Sequence, residues 1–310
     1  ITDYVLHPEI PYEERINYKI ERDYLGEGTP KERYKNNIEA IRVLKKCEEE
    51  DRYATKEEQE VLSKYVGWGG LSKAFDKSSD WQNEYNELKE ILTEEEYKAA
   101  RCTTVDAFYT PPVVIKSMYK ALEQMGLKKG NILEPSCGIG NFIGMMPNNN
   151  DLKIYGVEKD SLSGRIARQL YQKSSIAIQG FEKVDYSNSF FDVVVGNVPF
   201  GTERLNDKKY DKYNFLIHDY FFAKAIDKCR PGGIIALITS KGTMDKENSN
   251  VRKYIAQRAD LLGAIRLPDN TFEVSAGTTV TSDIIFLQKR NSITDIMPDW
   301  VNLDTNEDGI

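Results

Sequence analysis

The stretch Ile132-Leu133-Glu134-Pro135-Ser136-Cys137-Gly138-Ile139-Gly140-Asn141-Phe142 joins a short apolar run to a glycine turn and then to a helical pattern. Gly138 and Gly140 stand where a backbone must pass close to a ligand, and Pro135 stiffens the start of the turn. A flat nucleoside fits across the strand ends beside such a turn. By itself the turn is weak evidence, because many doubly wound proteins bind other nucleotides or nothing there.

Short apolar runs alternate with helical patterns after Gly130, which predicts a parallel sheet wrapped by helices. We expect seven strands, near residues 131–133, 153–157, 176–178, 192–196, 233–239, 262–266 and 282–288. We expect helices near residues 140–146, 161–171, 213–228 and 250–258. The predicted fold is α/β, a Rossmann-like doubly wound seven-stranded sheet that binds ligands at the carboxyl ends of its strands.

A second candidate ligand-binding residue follows the glycine turn. The next strand ends in Glu158, about twenty positions after the glycines, where a ribose diol expects an acidic partner. NAD would satisfy the same pattern, but it normally needs a third glycine, and this chain has Ile143 at that position. The alternatives are a solvated charge for Glu158 and a carboxylate that caps nearby amides for Glu134.

The composition limits the classes of partner. With a net charge of -7 the 310-residue chain does not carry a wholly basic surface, so any contact with nucleic acid must be local or supplied by a partner. The four cysteines are scattered and there are only two histidines, which favours neither disulfides nor a zinc site. No apolar stretch has the length of a membrane span. These features favour a reducing, intracellular compartment.

A further turn, Asn197-Val198-Pro199-Phe200, ends the apolar run at residues 191–196. Pro199 fixes its own φ and forces Val198 into an extended conformation, which aims the Val198 carbonyl outward. Alone, this tetrapeptide could be an incidental turn after a buried strand. After the glycine turn, it suits the presentation of a planar amine.

In this order the two turns resemble those of the N(6)-adenine DNA methyltransferases that use S-adenosylmethionine (AdoMet), with the gamma-type motif order. Upstream, Phe108-Tyr109-Thr110-Pro111-Pro112 resembles the motif that precedes the cofactor turn in these enzymes. The resemblance implies AdoMet as cofactor. It implies that the following residues bind it: Tyr109, Thr110, Glu134, Pro135, Ser136, Gly138, Gly140 and Glu158.

The resemblance also implies roles for the second turn. The side-chain oxygen of Asn197 and the carbonyl of Val198 would accept the two protons of the adenine amino group, and Phe200 would stack on the base. The family more often has proline where this chain has Val198, but the acceptor there is main chain, so we expect activity to survive. The family also usually offers an Asp at the stretch that reads Gln179-Gly180-Phe181-Glu182 here. Phe181 could instead pack on the adenine of the cofactor, while Gln179 or Glu182 binds its edge.

Three stretches extend the resemblance to the methylase portion of large methylase-helicase proteins of bacterial conjugative elements and phages. They are the Asn-Val-Pro-Phe-Gly turn, the Val66-Gly67-Trp68-Gly69-Gly70 turn and residues 267–272. This implies a bacterial or phage-encoded cytoplasmic protein that acts on DNA with a flipped-out adenine. Helicase or recognition regions of the same longer polypeptide would be its partners. The terminal sequences also read like cuts through linkers.

We expect three regions. They are an N-terminal helical extension (1–104), a methyltransferase domain (105–291) and a linker or tail (292–310). In the extension, Thr93 to Glu96 has the form of a capping box, and Trp68 either plugs a helix end or belongs to a loop at the active site. The polar loop at residues 201–213 is either a DNA contact or a solvated surface. Two other functions stay open: AdoMet-dependent methylation of a protein glutamine or an RNA base, and a degenerate domain that binds DNA or a helicase without turnover.

Overall fold

The computed structural model describes residues 3–23, 25–104, 109–147, 151–272 and 280–304. In these residues seven strands form one sheet in the order β3-β2-β1-β4-β5-β7-β6. The strands are β1 (Gly130–Glu134), β2 (Leu152–Glu158), β3 (Ser175–Ile178), β4 (Phe191–Asn197), β5 (Cys229–Ser240), β6 (Ala259–Arg266) and β7 (Ser282–Lys289). The predicted seven-stranded α/β sheet is confirmed. The sheet is mixed rather than parallel as predicted, because β7 runs antiparallel to both β5 and β6.

Helices cover the sheet and build the N-terminal extension. They are α1 (Pro30–Glu49), α2 (Lys56–Leu62), α3 (Gln82–Ile91), α4 (Glu94–Cys102), α5 (Pro112–Gln124), α6 (Asn141–Met145), α7 (Ser161–Leu170), α8 (Ile217–Lys228), α9 (Gly242–Asp245) and α10 (Asn250–Ala256). The capping box predicted at Thr93 is confirmed. The Thr93 side chain accepts a hydrogen bond from the Glu96 amide, and the Glu96 side chain accepts one from the Thr93 amide. Thr29 and Thr55 begin α1 and α2 in the same way.

Among the predicted boundaries, the starts of α8 and β5 differ most from the structure. We expected a helix from residue 213, but α8 begins at Ile217, because Asn214 has a left-handed backbone (φ 52°) that ends a short 3-10 turn at Asp211–Tyr213. We expected β5 to begin near residue 233. It begins at Cys229, since Cys229 pairs with Phe191 ahead of a register shift in the β4 ladder.

The sheet reverses its winding between β1 and β4. β1 continues through β2 to β3 on one side, while β4 continues to β5 on the other. In a doubly wound sheet a crevice opens at such a reversal, outside the carboxyl ends of the strands. Glu134 is the last residue of β1 and Asn197 the last of β4. The fold therefore brings both motif turns to one crevice.

The helical extension packs directly on the sheet domain. Trp68 is only 1% exposed and lies edge-to-face on Phe75, with ring centroids 5.2 Å apart. The same hydrophobic cluster contains Ile41 of α1 together with Ile166 and Leu170 of α7. Trp68 is thus a buried plug, as the first alternative expects, while Gly67 of the same turn lines the crevice at the strand ends, as the second expects. No helix in the described ranges is both long and apolar enough to cross a membrane.

Candidate active site

A cleft of about 510 Å³ opens at the carboxyl ends of β1, β2 and β4. Its walls are the turns after β1 and β4, the start of α7 and two segments of the extension, near residues 65–67 and 102–103. Ten of the fourteen predicted site residues line it: Tyr109, Thr110, Glu134, Ser136, Gly138, Glu158, Asn197, Val198, Pro199 and Phe200. Thr110 and Asn197, which are 87 positions apart in the chain, therefore line the same cavity.

The glycine turn after β1, which we call the cofactor turn, is hydrogen-bonded to β2. Gly138 and Gly140 both have positive φ, at 55° and 89°, a conformation that favours glycine. The Cys137 amide donates to the Val157 carbonyl at 2.9 Å. A Cβ at Gly140 would meet the ring of buried Tyr171 at 2.3 Å. Gly140 and Pro135 are buried in this turn and do not line the cleft. They therefore set the conformation of the turn without facing the cleft.

The end of β2 supplies a partly buried carboxylate that accepts hydrogen bonds from this turn. The Gly138 and Asp160 amides both donate to Glu158, at 2.7 Å in each case. Desolvation, together with the charge of Asp160, nevertheless raises the pKa of Glu158 to about 7 against the lowering effect of the amide bonds. Glu158 therefore changes charge in the neutral pH range.

Glu134 adds a second carboxyl group. It is 3% exposed, and its Oε2 has no hydrogen-bond partner among the described residues. Burial raises its pKa well above the ordinary value, and the nearby charge of Glu158 raises it further. Two acidic groups without a cation between them favour a ligand that brings positive charge into the cleft.

Asn197 lines the same cleft as these carboxyl groups and is held by two hydrogen bonds. Its side-chain nitrogen donates to the Thr110 hydroxyl at 3.2 Å. Its carbonyl accepts from the Ser136 hydroxyl at 3.3 Å. Its side-chain oxygen is buried and has no hydrogen-bond partner within the described ranges. A buried acceptor without a hydrogen-bond donor suits a ligand that brings an N–H group into the cleft.

The structure gives a reason for valine at position 198. The Val198 amide donates to the Ile238 carbonyl of β5 at 3.1 Å, which extends the β4–β5 pairing by one residue. Proline at this position would lose that bond. The Val198 side chain is 2% exposed. Phe200 is partly buried, and it packs against two hydrophobic clusters while it lines the cleft.

Gln179 and Phe181 do not line the cleft, and their predicted contact with the cofactor stays a prediction. Phe181 is 2% exposed, and its ring lies 5.1 Å from that of Phe221 in α8. The Gln179 side chain donates to the Tyr4 hydroxyl at 3.1 Å. The physical reason is the 3-10 turn at Phe181–Lys183, which packs the phenyl ring under α8.

Several cleft residues lie outside the predicted sequence motifs. Asp160 lines the cleft and caps α7 by accepting from the Ser163 amide at 2.9 Å. The sequence signal for it was an acidic residue two positions after Glu158 at the start of a helix. Tyr65 and Thr103 come from the extension, and their place depends on tertiary packing, which leaves no local signal.

The loop at residues 201–213 is partly committed to internal contacts. Lys209 forms an ion pair with Asp227 at 2.6 Å, and the buried Tyr210 hydroxyl donates to the same carboxylate at 2.6 Å. Arg204, Lys208 and Lys212 are exposed and have no ion pair among the described residues. Of the basic residues in this loop, these three are the candidates for the predicted contact with DNA. No group of His, Cys and acidic residues within the described ranges has metal-binding geometry.

Comparison with known proteins places the chain in a family. The N-6 DNA Methylase family matches residues 90–302. The Defense against restriction protein B of Escherichia phage P1 is 29% identical over 88% of the chain, but this covers only 11% of the phage protein. Type II methyltransferase M.CvrRI of Paramecium bursaria Chlorella virus XZ-6E is 26% identical over 59% of the chain and 48% of its own length. The chain thus spans less than half of either relative.

A solved structure supports the fold. A protein of Listeria monocytogenes assigned to the class I S-adenosylmethionine-dependent methyltransferases superposes with a TM-score of 0.53, at 18% identity over 87% of this chain and 90% of that one. At this identity the likeness supports the fold alone. The family match is independent of it and covers well over half of the chain, including both motif turns. The chain therefore belongs to the N-6 DNA Methylase family.

Proposed function

We propose that this protein transfers a methyl group from AdoMet to the exocyclic amino group of adenine in DNA. The observation that carries the proposal is the Asn197 side-chain oxygen, buried without a partner among the described residues in a cleft that Glu134 and Glu158 also line. One side of the cleft suits a flat amine and the other suits a cation.

The residues present fit AdoMet. Its ammonium and sulfonium charges match the buried Glu134 and the partly buried Glu158, and the Glu158 oxygens keep lone pairs for a ribose diol. Tyr109, Thr110, Pro135, Ser136, Gly138 and Gly140 complete this side as binding or turn-shaping residues. When bound, AdoMet supplies an electrophilic methyl group.

The chain's own residues prepare the acceptor nitrogen. The lone pair of an adenine amino group is delocalised into the ring, so the nitrogen must be drawn toward tetrahedral geometry. Asn197 Oδ1 and the Val198 carbonyl accept its two N–H bonds, and Thr110 orients the Asn197 amide. Pre-aimed dipoles stabilise the positive charge that develops on nitrogen. Phe200 stacks on the base, a contact that contributes roughly 1–3 kcal/mol.

DNA recognition belongs, in this proposal, to other regions of a longer mobile-element polypeptide, among them helicase regions. Two observations support this. The matched phage relative is far longer than this chain, which covers 11% of it. The net charge of -7 also leaves little surface for non-specific contact with phosphates.

Transfer of labelled methyl groups to DNA tests the proposal. Asn197→Ala should lower kcat by roughly 100-fold or more, because an acceptor used in the transition state is lost, while calorimetry gives an unchanged affinity for AdoMet. The matched control is Asn206→Ala, an exposed asparagine outside the cleft, which should retain full activity.

RNA and protein acceptors are assayed beside DNA. Incorporation into RNA or protein but not DNA would reject the proposed acceptor. Equal rates for wild type and Asn197→Ala would reject the role of the turn. AdoMet binding without transfer to any acceptor would point to a degenerate binding domain.

A further inference from the structure

The helical extension contains a second cleft, of about 480 Å³, which we name the extension cleft. It lies between residues 72–77, α3 and the end of α4. Three cations line it: Lys77, Lys89 and Arg101. Among the described residues, the only carboxylate in its lining is Asp76, which already accepts two hydrogen bonds from Ser78, at 2.8 Å and 2.7 Å. The lining therefore carries an excess of positive charge.

These three cations differ from their neighbours in the extension. Lys31, Arg42 and Lys45 each form an ion pair, with Glu84, Glu87 and Glu96 respectively. Lys77, Lys89 and Arg101 have no ion pair in the part of the chain that the structure describes, and all three are exposed.

Lys89 is held in place at the extension cleft. Its Nζ lies 3.8 Å from the ring centroid of Tyr97, within the range of a cation–π contact. Grouped cations repel one another, and an anion that binds among them relieves the repulsion. The cluster is thus a candidate anion site in a chain that is acidic as a whole.

The extension cleft and the active-site cleft share one wall. Arg101 and Thr104 line the former, while the intervening residues Cys102 and Thr103 line the latter. The Gly70 amide donates to the Thr104 carbonyl at 3.3 Å, which fixes this wall against the turn at Trp68. A polyanion with one nucleotide in the active-site cleft would pass the extension cleft with a neighbouring phosphate.

We propose that the extension cleft binds a backbone phosphate of the DNA whose adenine enters the active-site cleft. The inference rests on the proposed function. Phosphate contacts fix the register of a protein on DNA without reading its sequence. The contact gives an acidic chain a local grip on DNA at the point where the target base must be held.

The test measures the affinity of the 310-residue protein for an adenine-containing DNA oligonucleotide by fluorescence anisotropy, at several salt concentrations. The triple variant Lys77→Ala/Lys89→Ala/Arg101→Ala should bind roughly tenfold or more weakly at low salt, and its slope of log Kd against log salt should fall by about 1 to 3. The control variant Lys56→Ala/Lys64→Ala/Lys98→Ala removes the same charge from exposed positions outside both clefts and should change the slope little.

The single variants Lys77→Ala and Arg101→Ala keep the test decisive if the triple variant does not fold, and each should lower the slope by about 1. Equal slopes for test and control variants, or no DNA binding by the wild type at low salt, would overturn the inference. Methyl transfer is measured on the same samples. Slope changes without transfer would uphold the extension cleft and reject the proposed function, whereas transfer with unchanged slopes would do the reverse.

Discussion

Glu158 shows how one residue serves both structure and binding. Its two oxygens hold the turns at Gly138 and Asp160, so that the glycine turn and the start of α7 face the same ligand. Burial still sets its pKa at about 7, because the desolvation cost outweighs the amide bonds. A positively charged ligand favours the ionised form and should release a proton when it binds near neutral pH.

The expected consequence is a pH-dependent affinity for AdoMet. Above about pH 8 Glu158 is already ionised, so Kd should be constant. Below pH 7 binding must first remove its proton, so Kd should rise toward about tenfold per pH unit. Calorimetry from pH 5.5 to 9 measures this. The Glu158→Gln variant should bind AdoMet more weakly, and its plot of log Kd against pH should not change slope near pH 7. A wild-type Kd that is independent of pH would contradict this role of Glu158.

At the scale of elements, the two glycines of the cofactor turn carry different constraints. Gly138 needs a positive φ, but a Cβ there would meet no atom within 4 Å. Gly140 needs a positive φ and also abuts the ring of Tyr171, which is 1% exposed. The turn is therefore shaped by backbone strain at the first glycine, and by strain plus packing at the second.

Alanine at each glycine should separate these effects. Gly138→Ala should lower the free energy of unfolding by about 1–2 kcal/mol through the left-handed backbone. Gly140→Ala should lose about 1–3 kcal/mol more, because its methyl group overlaps Tyr171. Urea denaturation measures both. Tyr171→Leu in the Gly140→Ala background should show a favourable coupling energy, and equal losses for the two alanines would refute the packing argument.

At the scale of the whole molecule, the extension and the sheet share a core across residue 104. Besides the apolar cluster, Arg165 of α7 donates to Glu48 and Glu96, each at 2.6 Å. The buried Gln59 side chain donates to the Gln169 carbonyl at 2.9 Å. The division at residues 104 and 291 stays a prediction. These contacts indicate that the first two regions are stable only together.

A fragment that begins at residue 105 should therefore not fold cooperatively. Its α7 would expose Ile166 and Leu170, which are fully buried in the intact chain, and would leave Arg165 without its partners. Circular dichroism and urea titration of this fragment, beside the full 310-residue chain, measure the effect. A sigmoidal unfolding transition in the fragment would show that the sheet domain is independent.

Local patterns predicted most of the fold and of the site. Apolar runs bounded by turns located all seven strands, and the two turns brought seven predicted residues to one cleft, because strand ends in a wound sheet meet at a defined edge. The direction of β7 and the placement of Phe181 depend on long-range packing, so no local pattern encoded them. The same holds for Tyr65 and Thr103, which reach the cleft only through the docking of the extension.

The wall between the two clefts has a practical consequence, since Cys102 is exposed there while Cys47, Cys137 and Cys229 are buried. A maleimide dye offered to the folded protein would attach at this one thiol, because the other sulfurs are shielded from reagent. The dye would then sit at the rim of the cavity that the nucleoside must enter. Its emission would report occupancy in real time, without radioactivity and without altering the genetic sequence.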